Sequence, residues 1–365
     1  MRRRYTVLAS AALVVALVAL AVRFGPALTF SVALALPAAE RWLGPPLLVP
    51  IREELTLDVQ GRPVHADLYR PATPRQAIVL VHGLSRFGRR HPELVHLARL
   101  LAEHGALVLV PHVESLAAFR LDGSEVAAIG SALAHLRGRA HAVGVAGFSF
   151  GAGPALLAAA EHPGLRLVGS FGGYADLRNV IAYVTTGVHT FQGSRYVERQ
   201  EEYNRWKLLA LLVGFVEGQH DRIQLQIISG KKLANPAADT AVFERDLGDE
   251  GRLLLALVLN RRPDAVAPLL AQLPRPARDA LDRLSPLAAM PGLRGRLLIA
   301  HGAGDISIPY TESLRLAEAA GGRARVTIFK SFHHTGPRWF WQSLGDGVAD
   351  GIRLVGLADE LLAAR

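Results

Sequence analysis

A chain of 365 residues is long enough for one large core with an insertion, and its 50% hydrophobic content suits a buried parallel sheet plus a membrane segment. With no cysteine, disulfides, thiol nucleophiles and zinc–thiolate centres are excluded, and the redox compartment stays open. The net charge of +9 is almost all arginine, Lys207, Lys231, Lys232 and Lys330 being the only lysines. These cations are scattered without interleaved aromatics, which argues against a nucleic-acid partner. A basic surface does favour anionic lipid headgroups, although the arginine bias fits a GC-rich genome as well.

Arg2, Arg3 and Arg4 precede an uncharged run from Tyr5 to Val22, the charge arrangement of a signal or signal-anchor, and the run just reaches spanning length. Residues 1–23 are therefore read as a membrane segment. Residues 24–53 are read as an apolar, proline-bearing linker that is also a possible second membrane segment. Three topologies follow. A single uncleaved anchor puts the rest of the chain outside the cytoplasm. Cleavage after Ala33-Leu34-Ala35 would release it. A two-span hairpin would return it to the cytoplasm.

From Glu54 the pattern is globular. Leu55 to Val59, a turn at Gln60-Gly61, and Val64 to Leu68 alternate as a hairpin. Buried strands are expected at Ala77 to Val81, Leu107 to Pro111, His141 to Ala146, Leu167 to Phe171, Arg296 to Ala300 and Ala324 to Lys330. Helical spacing marks Pro92 to Glu103, Glu125 to Leu136 and Ala152 to Glu161. Strands alternating with helices predict an α/β fold with a mostly parallel sheet and helices on both faces. The core is assigned to residues 54–178 and 284–365. Residues 179–283 break the alternation with helical runs at Trp206 to Val216, Leu253 to Leu259 and Ala265 to Leu273. They are read as a helical insertion, either a cap over a pocket or a decoration away from it.

The chemistry centres on Gly147-Phe148-Ser149-Phe150-Gly151, between a strand and a helix. Such a turn is a nucleophile elbow, which lifts the serine hydroxyl above the sheet edge. Three further elements follow strands in a meaningful order. His82-Gly83-Leu84 comes after an early strand, His301-Gly302-Ala303-Gly304-Asp305 after a late one, and Ser331-Phe332-His333-His334 after the last. Serine, then acid, then histidine is the chain order of one class of serine hydrolase.

On these residues the chain resembles the α/β-hydrolase superfamily, in particular its dienelactone-hydrolase-like and esterase-like bacterial members. The resemblance runs from Leu55 to the C-terminus and is poor between about Asn179 and Arg283. It implies Ser149 as nucleophile, Asp305, in the segment Gly302 to Pro309, as the acid, and His334 or His333 as the base, with His334 better spaced from Pro337. Asp176 is the alternative acid, since some members place it after the strand ending at Phe171. Backbone N–H groups of Leu84 and Phe150 would form the oxyanion hole.

The competing readings are structural. Asp305 would cap the turn before Pro309, and His82 would be a structural side chain. His91, His96, His104 and His112 lack the i, i+4 spacing of a helical metal site and are read as surface. Phe171, Tyr174, Tyr183, Phe191 and Trp339 would line an acyl pocket or serve as plain core. The function expected is a membrane-anchored serine hydrolase acting on a small-molecule acyl ester or lipid-like substrate, without metal or organic cofactor. The same triad would serve a peptidase, thioesterase or acyltransferase, and a silent fold would be a membrane scaffold. Substrate and oligomeric state are not encoded legibly.

Overall fold

The computed structural model describes residues 22–43, 49–330 and 346–363, together with residue 19 and the backbone of 332–333, 336–337 and 344–345. Residues 22–35 form helix α1. Strands β1 (Ile51–Val59) and β2 (Arg62–Arg70) follow, then β3 (Gln76–Val81), α2 (Pro92–Glu103), β4 (Ala106–Pro111), α3 (Glu114–Ala117), α4 (Ser124–Leu136), β5 (Val143–Phe148), α5 (Ala152–Glu161) and β6 (Leu167–Phe171). An insertion carries α6 (Leu177–Thr186), strands β7 (Val188–Phe191) and β8 (Ser194–Val197), α7 (Glu202–Leu212), α8 (Gln219–Ala234), α9 (Ala241–Arg245), α10 (Asp249–Leu259), α11 (Pro263–Gln272) and α12 (Arg275–Leu284). The chain returns through β9 (Arg296–Gly302), α13 (Thr311–Ala320) and β10 (Ala324–Phe329), and ends with β11 (Phe332–His333), β12 (Gly336–Pro337) and α14 (Leu344–Leu362).

Eight strands form one sheet in the order β1-β2-β4-β3-β5-β6-β9-β10. Pairing is parallel from β4 to β10, and antiparallel for β1 with β2 and β2 with β4. Strands β3 and β4 are buried at every position, and their unbroken aliphatic character follows from having helices on both faces. In α2 the residues Leu94, Leu97, Ala98 and Leu101 recur at helical spacing and are buried, while Pro92 occupies the first turn, where its missing N–H costs nothing. The β1–β2 hairpin turns at Gln60 and Gly61, which both have positive φ (53° and 79°), the geometry that matches the strand twist.

The core splits across the sheet. One face packs against α4, α5 and much of the insertion. The other packs against α1, α2 and α14, with Phe30, Leu97, Leu101, Leu357 and Leu361 in one cluster.

Helix α1 changes the reading of residues 24–53. Ala27, Phe30, Ser31 and Ala33 are buried. The Phe30 ring meets His104 edge-on at 5.4 Å, His96 Nε2 lies 3.2 Å from the Ala33 carbonyl, and Arg99 pairs with Glu40 at 2.7 Å. The part of the stretch from Ala27 to Glu40 thus packs on the body and is not merely a linker, and His96 and His104, assigned to the surface, dock it. Its composition misleads because a helix apolar on all sides reads alike whether it faces lipid or protein. Among the described residues no helix is long and apolar enough to cross a membrane. The run Tyr5 to Val22 lies outside the described residues except at Ala19 and Val22.

Phe30, 1% exposed, is the main anchor of α1. Phe30→Ala should lower unfolding stability by about 3 kcal/mol, from lost burial plus a cavity. Denaturant unfolding of the full chain measures it, and a loss near zero would mean that α1 contributes nothing to the core.

Candidate active site

Ser149 sits between β5 and α5 with φ +52°, a left-handed conformation that a residue with a Cβ adopts only under constraint. The constraint is the loop after β3. A Cβ on Gly151 would stand 2.1 Å from the His82 carbonyl oxygen, and one on Gly83 would stand 2.9 Å from Ser149 Cβ. The two backbones therefore touch, and only glycine at both places allows it. Ser149 itself is half-buried at this seam.

His82 is 2% exposed and holds the loop from below. Its Nε2 accepts the Val113 N–H at 3.0 Å, so Nδ1 carries the proton and donates to the Gly83 carbonyl at 2.8 Å. Because a trans peptide points its C=O and N–H in opposite directions, the Leu84 N–H is directed away from the imidazole. Burial pushes the His82 pKa down to about 4. Leu84 is half-buried and Phe150 buried, its ring 5.7 Å from that of Tyr174.

Asp305 follows β9 and is 2% exposed. Its Oδ1 accepts the N–H groups of Ser307 at 2.8 Å and Ile308 at 3.0 Å, while Oδ2 lies 3.3 Å from His301 Nε2. Backbone donors of this kind fix the direction of a carboxylate. The insertion grips the same loop: Tyr183 donates to the Asp305 carbonyl at 2.7 Å, and Asn204 Nδ2 donates to that of Ile306 at 3.0 Å. The Ser307 hydroxyl donates to Asn204 Oδ1 at 3.1 Å.

Strands β5, β6 and β9 are consecutive neighbours in register Phe148↔Phe171↔Ala300. Ser149 and Asp305 therefore follow the same edge of the sheet on strands two apart, which are spaced about 10 Å. Asp176, the alternative acid, follows β6, the strand next to β5. It caps α6, accepting the Arg178 N–H at 2.8 Å, with the Ser285 hydroxyl at 3.3 Å on the same oxygen. His334 and Trp339 lie outside the described residues, and of His333 only the backbone is described, in β11.

Tyr174 and Tyr183, candidates for an acyl pocket, are core residues at 0% exposure, their hydroxyls bound to the carbonyls of Leu284 and Asp305. Phe171 packs on Phe148 at 5.2 Å, and Phe191 lies under Arg315. Sequence reasoning misses Asn204 and Lys207, one turn apart on α7. The Lys207 pKa is lowered by burial, against an opposing pull from the Asp305 carboxylate. It also misses Glu312, a buried carboxyl that accepts the N–H groups of Ala175 and Asp176 and whose pKa burial raises. None of the three has a local signal, since the partners named for them lie roughly a hundred residues or more away.

No protein-family model and no curated protein matches the sequence. Among solved structures, a 2,6-dihydroxy-pseudo-oxynicotine hydrolase is similar at 17% identity and TM-score 0.51, over 87% of this chain and 70% of that one. The acylaminoacyl peptidase of Pyrococcus horikoshii shares 13% identity at TM-score 0.49, and 85% of this chain aligns with only 41% of the peptidase. A dienelactone hydrolase from Anabaena variabilis shares 14% identity at TM-score 0.44, over 85% and 97%. Likeness at this level concerns fold alone, and the chain has the α/β-hydrolase fold.

The His82 geometry sets a pH dependence. The unfolded imidazole binds a proton below about 6.5, whereas the folded one stays neutral down to about 4. Stability should be insensitive to this residue above that window and should fall as pH drops through it, by up to about 3 kcal/mol. Buried His189, also lowered to about 4, acts with the same sign. Urea unfolding across the window checks this, with His82→Gln expected to remove about one proton from the slope.

Proposed function

We propose that this chain is a membrane-anchored serine hydrolase that cleaves carboxylic esters of small molecules through an acyl-enzyme on Ser149. The observation that carries the reading is the left-handed Ser149 pressed against the His82–Gly83 backbone, a strain that an inert turn has no reason to keep. Support also comes from Asp305, whose buried carboxylate is directed by two backbone donors.

In this mechanism His334 takes the hydroxyl proton as Ser149 Oγ attacks the acyl carbon; His333 is the alternative base. Asp305 orients the imidazole and stabilises its charged form. The N–H groups of Leu84 and Phe150 receive the developing oxyanion, each worth about 3 kcal/mol. The histidine then protonates the departing alcohol, and a water it activates releases the acid. The insertion acts as the cap, because Tyr183 and Asn204 join it to the acid's loop; pocket closure then excludes water.

The membrane part of the proposal rests on the uncharged run Tyr5 to Val22 behind three arginines. An uncleaved anchor, with the body outside the cytoplasm, is favoured over cleavage after Ala35. Cleavage there would strip buried Phe30 and Ala33 from the core.

Nitrophenyl esters of increasing acyl length test the reaction. Ser149→Ala should abolish both turnover and fluorophosphonate labelling. Asp305→Asn should lower kcat roughly 10³- to 10⁴-fold, whereas Asp176→Ala should cost about 1 kcal/mol as a lost helix cap and leave kcat nearly unchanged. Equal activity of the Ser149→Ala protein, or the reverse ranking of the two aspartates, would overturn the assignment.

A further inference from the structure

His301, the penultimate residue of β9, belongs to the segment that supplies the acid, yet the mechanism above gives it no task. It is 2% exposed. Its Nδ1 lies 2.6 Å from the hydroxyl of Ser313 on α13, a residue that is itself fully buried. Its Nε2 lies 2.9 Å from the Ile308 carbonyl and 3.3 Å from Asp305 Oδ2. Buried polar side chains thus lead from helix α13 to the acid in the order Ser313, His301, Asp305.

The proton positions follow from the partners. A carbonyl oxygen only accepts, so Nε2 carries a hydrogen, and that hydrogen stands beside the Asp305 carboxylate. The Ser313 hydroxyl can donate to Nδ1, which completes a neutral ring in the Nε2–H tautomer. Ile308 ties the arrangement together, since its N–H reaches Asp305 Oδ1 while its carbonyl accepts from His301.

The two carboxylate oxygens have different surroundings. Oδ1 accepts the N–H groups of Ser307 and Ile308. Oδ2 faces the end of β6, where a Cβ on Gly172 would stand 3.8 Å from it. Strand β6 lies between β9 and β5, the strand that leads into Ser149. The oxygen on the serine's side is therefore the one that His301 approaches.

We propose that His301 is a positioning residue for the hydrolysis: its Nε2–H steadies Asp305 Oδ2 toward the site, and Ser313 holds the ring in the tautomer that can do so. This role rests on the reading of Asp305 as the acid and adds the support behind it. Groups that act on a substrate keep their aim only when a further layer of hydrogen bonds locks their rotamers. A histidine that merely braced the loop would affect stability and leave turnover per folded molecule unchanged.

The full chain is assayed on a nitrophenyl ester, with competent sites counted by titration to completion with a fluorophosphonate. His301→Leu, which removes both ring nitrogens, should lower kcat per site roughly 10- to 100-fold with KM nearly unchanged, the loss expected for a hydrogen bond to a charged group. His301→Gln, which can return an N–H donor near the Nε2 position, should recover most of that loss. Ser313→Ala leaves the ring in place, removes the group that sets its tautomer, and should lower kcat roughly threefold.

A cycle with Asp305→Asn separates positioning from architecture. If His301 acts through the acid, its replacement in that background should change the fluorophosphonate labelling rate by less than about twofold. Ser313→Ala runs the same cycle with a milder change, so a leucine variant that fails to fold does not decide the matter. Equal losses in both backgrounds, or an unchanged kcat per site in the single variants, would overturn the role. A wild type without Ser149-dependent turnover would instead sink the hydrolase reading itself, so the two failures are distinct.

Discussion

The fold of this protein turns on a contact between two pieces of backbone. The loop leaving β3 and the turn leaving β5 approach so closely that a methyl group on Gly151 would occupy the His82 carbonyl. Parallel neighbours make this possible, because both strands deliver their C-terminal ends to the same place. His82 then fixes the loop's peptide plane, using a neutral ring bonded at both nitrogens. An apolar core on both sheet faces supplies the stability that offsets the strain at Ser149. Local distortion at the site is a result of global order, and neither exists without the other.

Much of this was legible in the sequence because the information is local. Strand β6 and helices α2 and α5 fall on the residues that periodicity marks, since burial on two faces or one leaves a direct trace in composition. Gly147, Ser149 and Gly151 announce a tight turn for the same reason. What stayed hidden depends on partners far along the chain. Asn204 looks like any helical asparagine until it meets Ile306 and Ser307. The β7–β8 hairpin interrupts a stretch read as helical; Gln192 and Gly193 make its turn, both with positive φ, and a two-residue signal is easily lost among helices. Asp176 had a strand end to recommend it, yet its place one residue before α6 makes it a cap.

Helix α1 shows the limit most plainly. Its residues carry the same apolar signature as the run before them, so composition leaves them between a linker and a second membrane segment. The contacts of Phe30, Ala33 and Glu40 with α2 make it part of the protein instead. His96 and His104 read as surface in the sequence, since they lack the spacing of a metal site and no partner lies nearby in the chain. Their explanation is a helix more than sixty residues earlier.

The direction of the strands has a consequence for access. Strands β3, β4, β5, β6, β9 and β10 all run toward the end that bears Ser149, and six residues of strand span about 20 Å. Arg23, near the start of α1, lies beside Arg166, Arg296 and Arg325 at the opposite end of these strands. Under the anchoring proposed above, the attachment point and the Ser149 turn would stand at opposite ends of the sheet, separated by the length of its strands.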